Sequence, residues 1–325
     1  MPHSTTPQTI DTAVTHGDWR DDLFRDGFVV VKGAISPENS KKYIEQMFQW
    51  LEKFPFGFDR NYSETWTEKY LPTHMKGGMY HGYSVQHERF MWEARQEPGV
   101  IEAFNRLWGT EKLLVSFDGM NLTLPSTKRA PGQPWPHVDQ SPRRTGLQCV
   151  QGILNFAPNG PEDGGLVVMK GSHALNEEFF KTHDVADRKT WGPDDWFGFQ
   201  ESETKWFEER GCETIKVCAE PGDLILWDSR TVHHNVLPSS QNLRALIYAC
   251  YTPASFATAE DLESKAKLFM DRKGTTHWPH ANIFENAEKK LRLGKPDIHE
   301  RDKPFEEPEH TELALKLAGA KAYKT

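Results

Sequence analysis

The segment Trp135-Pro136-His137-Val138-Asp139 has the spacing with the clearest chemical content. Side chains at i and i+2 of a strand leave the same face. His137 and Asp139 can therefore aim one imidazole nitrogen and one carboxylate oxygen at a common point. A histidine from elsewhere would complete a 2-His-1-carboxylate set, which holds Fe(II) and leaves three positions open for substrate and dioxygen. Spacing alone does not decide the matter. With 14 histidines and 47 acidic residues in 325, chance supplies about two H-x-[D/E] matches, and three occur. His16/Asp18 lies in a polar N-terminal stretch and His310/Glu312 in a charged C-terminal one. His137/Asp139 is the pair in strand-rich sequence, where the plain alternative is a histidine in an Asp-containing turn.

A second half lies downstream. Pro221-Gly222-Asp223 is a turn leading into the apolar run Leu224–Trp227, followed by Asp228-Ser229-Arg230-Thr231-Val232-His233-His234-Asn235. Arg244 then opens a strand that is apolar on both faces. A charge left unpaired at such a border is costly, so Arg244 needs an anionic partner. A dicarboxylate cosubstrate gripped by the planar guanidinium would serve, as would an ion pair with an acidic side chain of the protein.

The elements that must position these groups follow from pattern. Phe28–Val31 reads as a strand closed by Gly33. Ser36-Pro37 starts a helix with Tyr43, Met47, Phe48 and Leu51 on one face. Residues 54–95 are aromatic and weakly periodic, which suggests a binding loop or lid. Val100, Ile101, Phe104, Leu107 and Trp108 mark a helix stopped by Gly109. From there short apolar runs alternate with Gly, Pro and Asp turns: Leu113–Phe117, Met120–Leu124, Leu147–Phe156, Leu166–Met169, Leu224–Trp227 and Leu243–Tyr251. That punctuation favours a β-sandwich or barrel over βαβ units. Residues 174–210 read as an insertion. Thr258, with Asp261 three residues on, caps a helix carrying Leu262, Ala266 and Phe269. The expected organisation is a loose polar tail over 1–18 and one domain over 19–325, with a barrel core at about 110–252 and a helical extension at about 255–325.

Composition narrows the class. Apolar residues make up 37% and the net charge is −8, which suits a globular protein and argues against nucleic acid as a partner. The longest apolar run, Ala245–Tyr251, is too short to span a membrane. Polar opening residues and four cysteines without a C-x-x-C pair lead to the expectation of reduced thiols and a cytoplasmic location. G-x-G-x-x-G after a strand, G-x-x-x-x-G-K, G-x-S-x-G and H-E-x-x-H are all absent.

The order of motifs is distinctive. H-x-D is followed by Gly164-Gly165-Leu166-Val167-Val168-Met169-Lys170-Gly171-Ser172-His173, then P-G-D-L-I-L-W-D-S-R, a histidine, and an arginine eleven residues later. With Arg25-Asp26-Gly27-Phe28-Val29-Val30-Val31-Lys32-Gly33 near the start, residues 20–252 resemble the phytanoyl-CoA dioxygenase family of Fe(II)- and 2-oxoglutarate-dependent oxygenases. The resemblance implies a mainly β fold with flanking helices, a double-stranded β-helix (a jelly-roll, cupin-like barrel). It implies iron on His137, Asp139 and His233, with 2-oxoglutarate and O2 as cosubstrates and Arg244 as the anchor for the distal carboxylate. His233 is preferred to His234 because the family's arginine follows its ligand by eleven residues. Asn235 matches a frequent cosubstrate contact, Gln133 is a candidate for lining the iron pocket, and His173 is structural.

The implied reaction is oxidation of a small molecule. Oxidative decarboxylation of 2-oxoglutarate gives succinate and CO2 and drives hydroxylation, desaturation or rearrangement of an unactivated C–H position. Trp135, Trp227, Tyr80 and Tyr83 suggest aromatic walls for an apolar or planar substrate, such as one of specialised metabolism, and Arg143 or Arg144 a contact for an acidic group. Two other classes fit parts of the pattern: a jelly-roll binding module whose histidines only pack, and a cupin-like metal oxygenase that needs no 2-oxoglutarate. His277 and His280 are spare histidines that could supply a rival ligand.

Overall fold

The computed structural model describes residues 12–125, 133–144, 146–185, 195–285 and 291–324. Most of the expected N-terminal tail lies outside them. In chain order the strands are β1 (Phe28–Val31), β2 (Met79–Tyr80), β3 (Leu113–Val115), β4 (Met120–Thr123), β5 (His137–Val138), β6 (Val150–Asn155), β7 (Gly165–Lys170), β8 (Phe197–Gly198), β9 (Glu213–Lys216), β10 (Leu224–Asp228), β11 (His233–Val236), β12 (Arg244–Tyr248), β13 (Tyr251–Pro253), β14 (Leu291–Arg292) and β15 (Lys295–Pro296). The helices are α1 (Trp19–Asp26), α2 (Pro37–Glu52), α3 (Arg89–Arg95), α4 (Pro98–Trp108), α5 (Ser172–Thr182), α6 (Glu201–Glu208), α7 (Ala259–Met270) and α8 (Glu312–Leu317).

Two antiparallel sheets face each other. One has the order β1-β10-β6-β12-β4-β2 and the other β8-β5-β11-β7-β9. Consecutive strands of the chain tend to fall in different sheets, the crossing pattern of a jelly roll. The central strands β10 and β12 are largely apolar on both faces because both faces are covered. Ile153, Ile225, Trp227, Leu246 and Tyr248 meet Leu166 and Val168 of the opposing sheet. The alternate positions Leu154, Leu224, Leu226, Ala245 and Ile247 join the larger core formed with the helices.

Helix boundaries follow local chemistry. Ser36 accepts from the Asn39 amide at the start of α2, and Gly109 stops α4 in the left-handed conformation. Thr258 and Asp261 form a reciprocal capping box on α7. The aromatic segment 54–95 is largely packed into the core, although Lys76 and Met79 within it reach a cavity described below. Phe54, Phe58, Tyr80, Tyr83, Phe90 and Trp92 are buried, and Trp50 of α2 packs edge-on against Phe54 and Tyr80. The segment lacks a period because it weaves short turns through the core. Residues within 174–210 form α5 and α6 around a second aromatic cluster of Phe179, Phe197, Phe199 and Phe207. Cys149, Cys212 and Cys250 are buried free thiols, while Cys218 is exposed. No helix among the described residues is long and apolar enough to cross a membrane.

Candidate metal centre and cosubstrate cavity

β5 and β11 lie side by side with His137 and His233 as direct Cα partners. Both imidazoles project into the space between the sheets, and Asp139 follows His137 on the same side. One donor atom from each of His137, Asp139 and His233 lies within 4.8 Å of the other two. Among the described residues this is the one cluster of three or more His, Cys, Asp or Glu side chains close enough to hold a metal ion. Asp139 Oδ2 is 3.2 Å from His233 Nε2 and 3.6 Å from His137 Nε2.

The backbone fixes which nitrogen faces inward. His137 Nδ1 lies 3.0 Å from the Trp135 carbonyl and His233 Nδ1 lies 2.9 Å from the Thr231 carbonyl. A carbonyl only accepts, so each Nδ1 carries the hydrogen and each Nε2 presents a lone pair to the centre. Burial lowers the His137 pKa, which keeps the ring neutral and able to ligate. Gln151 Nε2 donates to Asp139 Oδ2 at 2.9 Å from β6. Trp135 lies stacked on His137 at 4.3 Å between ring centroids.

His234 has the opposite orientation, as strand alternation requires. It pairs with Val167, while His233 pairs with Val168 of the interior face. Burial pushes its pKa down to about 4.

The turn before His233 is held by three family motifs at once. Thr231 Oγ1 donates to the Gly27 carbonyl at 2.9 Å, and the Val232 amide donates to Ser172 Oγ at 2.8 Å. A β-carbon on Gly27 would come within 2.5 Å of both His173 Nδ1 and Thr231 Oγ1, so the position has room for hydrogen alone. His173 is structural here, its Nε2 lying 3.0 Å from the Phe24 carbonyl.

A cavity of about 240 Å³ lies beside the cluster, lined by Lys76, Asn121, Thr123, Gln133, Trp135, Asn235, Arg244 and Tyr248, among others. Pockets for drug-sized ligands run roughly 300–1,000 Å³, so this one suits a small molecule. Arg244, only 6% exposed, sits opposite Thr123 in the sheet register. No acidic side chain pairs with it among the described residues, and its Nε is buried without a hydrogen-bond partner. Asn235 Oδ1 and the Tyr248 hydroxyl are orphaned in the same way. Buried polar groups are ordinarily satisfied. The Arg244 guanidinium suits a small anion with several oxygens, as the donor set next to it suits iron, whereas Asn235 Oδ1 can only accept. Gly165 makes space for the guanidinium: a β-carbon there would stand 3.0 Å from Arg244 Nε.

Other expected residues are placed elsewhere. Tyr80 and Tyr83 pack in the core and do not line the cavity; the Tyr83 hydroxyl bonds Asp297. Their place near glycines suggested a loop, but the segment is buried. Trp227 is a buried wall behind His233, edge-on at 5.5 Å. Arg143 is in an exposed turn. Arg144 instead joins three segments: it bonds Asp195 and Asn282 and lies over the Trp278 ring at 4.5 Å. His277 and His280 stand outside the three-residue cluster. Sequence reasoning missed Lys76, whose Nζ sits 3.4 Å over the centre of the Trp135 ring. It lies in a stretch with no periodicity, and only tertiary packing brings it to the cavity.

The phytanoyl-CoA dioxygenase (PhyH) family model matches residues 23–242, an interval that holds all three members of the cluster and stops two residues short of Arg244. Ava biosynthesis cluster protein O of Aspergillus versicolor is 46% identical over 268 residues, covering 82% of this chain and 87% of that one. Among solved structures, the epimerase SnoN in complex with Fe3+, alpha ketoglutarate and nogalamycin RO is similar at TM-score 0.51 and 19% identity, covering 72% of this chain and 82% of that one. At that identity the likeness concerns the fold.

Proposed function

Since the chain belongs to the phytanoyl-CoA dioxygenase family, and with it to the oxygenases that use non-haem iron and 2-oxoglutarate, we propose that His137, Asp139 and His233 are its iron ligands and that Arg244 anchors 2-oxoglutarate in the adjoining cavity. The observation that carries this reading is the closeness of three buried donor atoms to a cavity whose arginine has no acidic partner among the described residues. Bound iron, with 2-oxoglutarate and O2, supplies an oxidant for an unactivated C–H bond and leaves succinate and CO2.

The protein's own residues do the rest. Backbone carbonyls of Trp135 and Thr231 hold both imidazoles in one tautomer. Arg244 grips the distal carboxylate, Asn235 offers a second polar contact, and Lys76 adds a second positive charge for a dianion. Gln133 stands at the rim. Trp135 covers His137 and keeps water from the reacting face.

The substrate is an apolar or aromatic small molecule of specialised metabolism. Met79, Pro134, Trp135 and Leu237 give the cavity an apolar border, and the relationship to a biosynthesis cluster protein points the same way. The reaction is hydroxylation, with desaturation or rearrangement open after the same hydrogen abstraction. A succinate-release screen tests this: protein loaded anaerobically with Fe(II) is given 2-oxoglutarate, O2 and a panel of aromatic small molecules. Substrate-stimulated succinate supports the proposal. Iron-loaded protein that forms no succinate, with or without a candidate, refutes it.

A further inference from the structure

The stretch after α7 returns to the ligand end of the barrel and is anchored there on both sides of His277. The Thr275 amide donates to the Phe117 carbonyl at 2.9 Å, and the Phe117 amide donates to Thr275 Oγ1 at 3.2 Å. His280 Nδ1 lies 3.1 Å from Thr252 Oγ1. Between these anchors the Trp278 ring is buried against Cys149 and Cys250, and Arg144, from the turn after Asp139, lies over it. The Cys149 carbonyl accepts from the Ser229 amide, and the Ser229 carbonyl accepts from the Asp139 amide. The stretch is therefore joined to the backbone that carries a metal-ligand candidate.

This packing sets His277 on the flank of the metal centre. It is close enough to Asp139 to act on its charge, yet it contributes no atom to the three-residue cluster. It does not line the cavity that holds Arg244. Its Nε2 is buried and has no hydrogen-bond partner. His87, His173 and His280, buried elsewhere, each set a ring nitrogen against a carbonyl or hydroxyl oxygen. A buried polar atom left unpaired is costly, so a nitrogen kept in that state beside the centre calls for a partner that arrives from outside. Neutral imidazole has one hydrogen and one lone pair, which suits a hydroxyl or carbonyl oxygen.

We propose that His277 hydrogen-bonds the molecule to be oxidised, and that it selects aromatic small molecules with a hydroxyl or carbonyl group beside the metal centre. This rests on the reading of the cluster as an iron site. An analogue without the oxygen leaves Nε2 unpaired and is penalised for it. The selecting residue lies outside the family match at 23–242.

Calorimetry on full-length protein loaded with Mn(II) and 2-oxoglutarate tests this without turnover. The probes are two matched pairs, 2-naphthol with naphthalene and 1-indanone with indane. His277→Phe is expected to weaken at least one oxygenated probe roughly threefold to tenfold relative to its hydrocarbon, the scale of one neutral hydrogen bond. Hydrocarbon affinity, Mn(II) stoichiometry and 2-oxoglutarate affinity should stay as in the parent. His277→Gln, which keeps a polar group, should recover part of the loss. Unchanged ratios in both pairs overturn the inference, and so does a parent that binds neither oxygenated probe. An equal loss for both members of a pair would assign His277 to packing and overturns it too. A parent that takes up neither Mn(II) nor 2-oxoglutarate refutes the iron-site reading, and the inference with it.

Discussion

His137 and His233 are paired residues of adjacent antiparallel strands, 96 positions apart in the chain, with ring centroids 4.2 Å apart. The register therefore decides which histidine of His233-His234 faces inward. A slip of one residue would turn His234 to the centre and His233 away from it.

Metal retention should divide the two histidines. His233→Ala is expected to lose tightly bound Fe(II) or Mn(II), whereas His234→Ala keeps about one equivalent. Metal analysis after anaerobic gel filtration reads the difference. The opposite pattern would reassign the third ligand.

Arg244→Ala should raise the concentration of 2-oxoglutarate needed for half-maximal succinate formation by roughly tenfold to a hundredfold, since a charge-assisted contact is lost. Turnover indifferent to this change would favour a metal oxygenase that does not use 2-oxoglutarate.

Gly165→Val tests the same carboxylate pocket from the opposite sheet. Even the first carbon of the new side chain would stand 3.0 Å from Arg244 Nε and 3.1 Å from Asn159 Nδ2, and the residue has a φ of +97°. Weaker 2-oxoglutarate binding is expected with Mn(II) retained. Equal loss of metal and cosubstrate would mean that the barrel, and not the guanidinium, had been disturbed.

Acid should destabilise the fold through histidines outside the metal centre. Burial pushes His87 and His280 down to about 3, against an ordinary value of 6.5. Between those limits the unfolded chain takes up protons that the folded protein refuses. Their contribution is complete above 6.5 and is lost as pH falls towards 3. Urea midpoints measured from about pH 7 to about pH 5 should fall less steeply for His280→Asn than for the parent. Parallel slopes would show that His280 does not titrate on unfolding.

Much of the barrel is legible because its strands obey local rules. β1, β4, β6, β7, β10 and β12 are apolar runs closed by turns, and each lies within a residue or a few of its expected place. β11 is harder to see. His-His-Asn-Val has neither the apolar content nor the alternation of a strand, since its inward residues are polar and meet at a polar site. His137 and Asp139 show in the i, i+2 spacing, but that spacing occurs three times in the chain and the strand-rich surroundings and downstream motifs single this pair out. Lys76 and Tyr248 carry no such signal. Lys76 reaches the cavity through a segment without a period, and Tyr248 has the sequence surroundings of any core aromatic, distinguished only by an unsatisfied hydroxyl in the folded protein. Tyr80 and Tyr83 err the other way: a glycine-containing loop suggests walls for a substrate, yet Trp50 and Phe54 cover them in the core.

Arg144 ties the loop after Asp139 to Asp195 and to Asn282, which itself donates to Asp195. Asn282 and Trp278 lie forty and thirty-six residues past the end of the family match at 242. The turn after Asp139 is thus braced by sequence beyond that match. Exchanging the segment after Pro253 for a relative's would therefore change that brace while leaving the paired strands of His137 and His233 as they are.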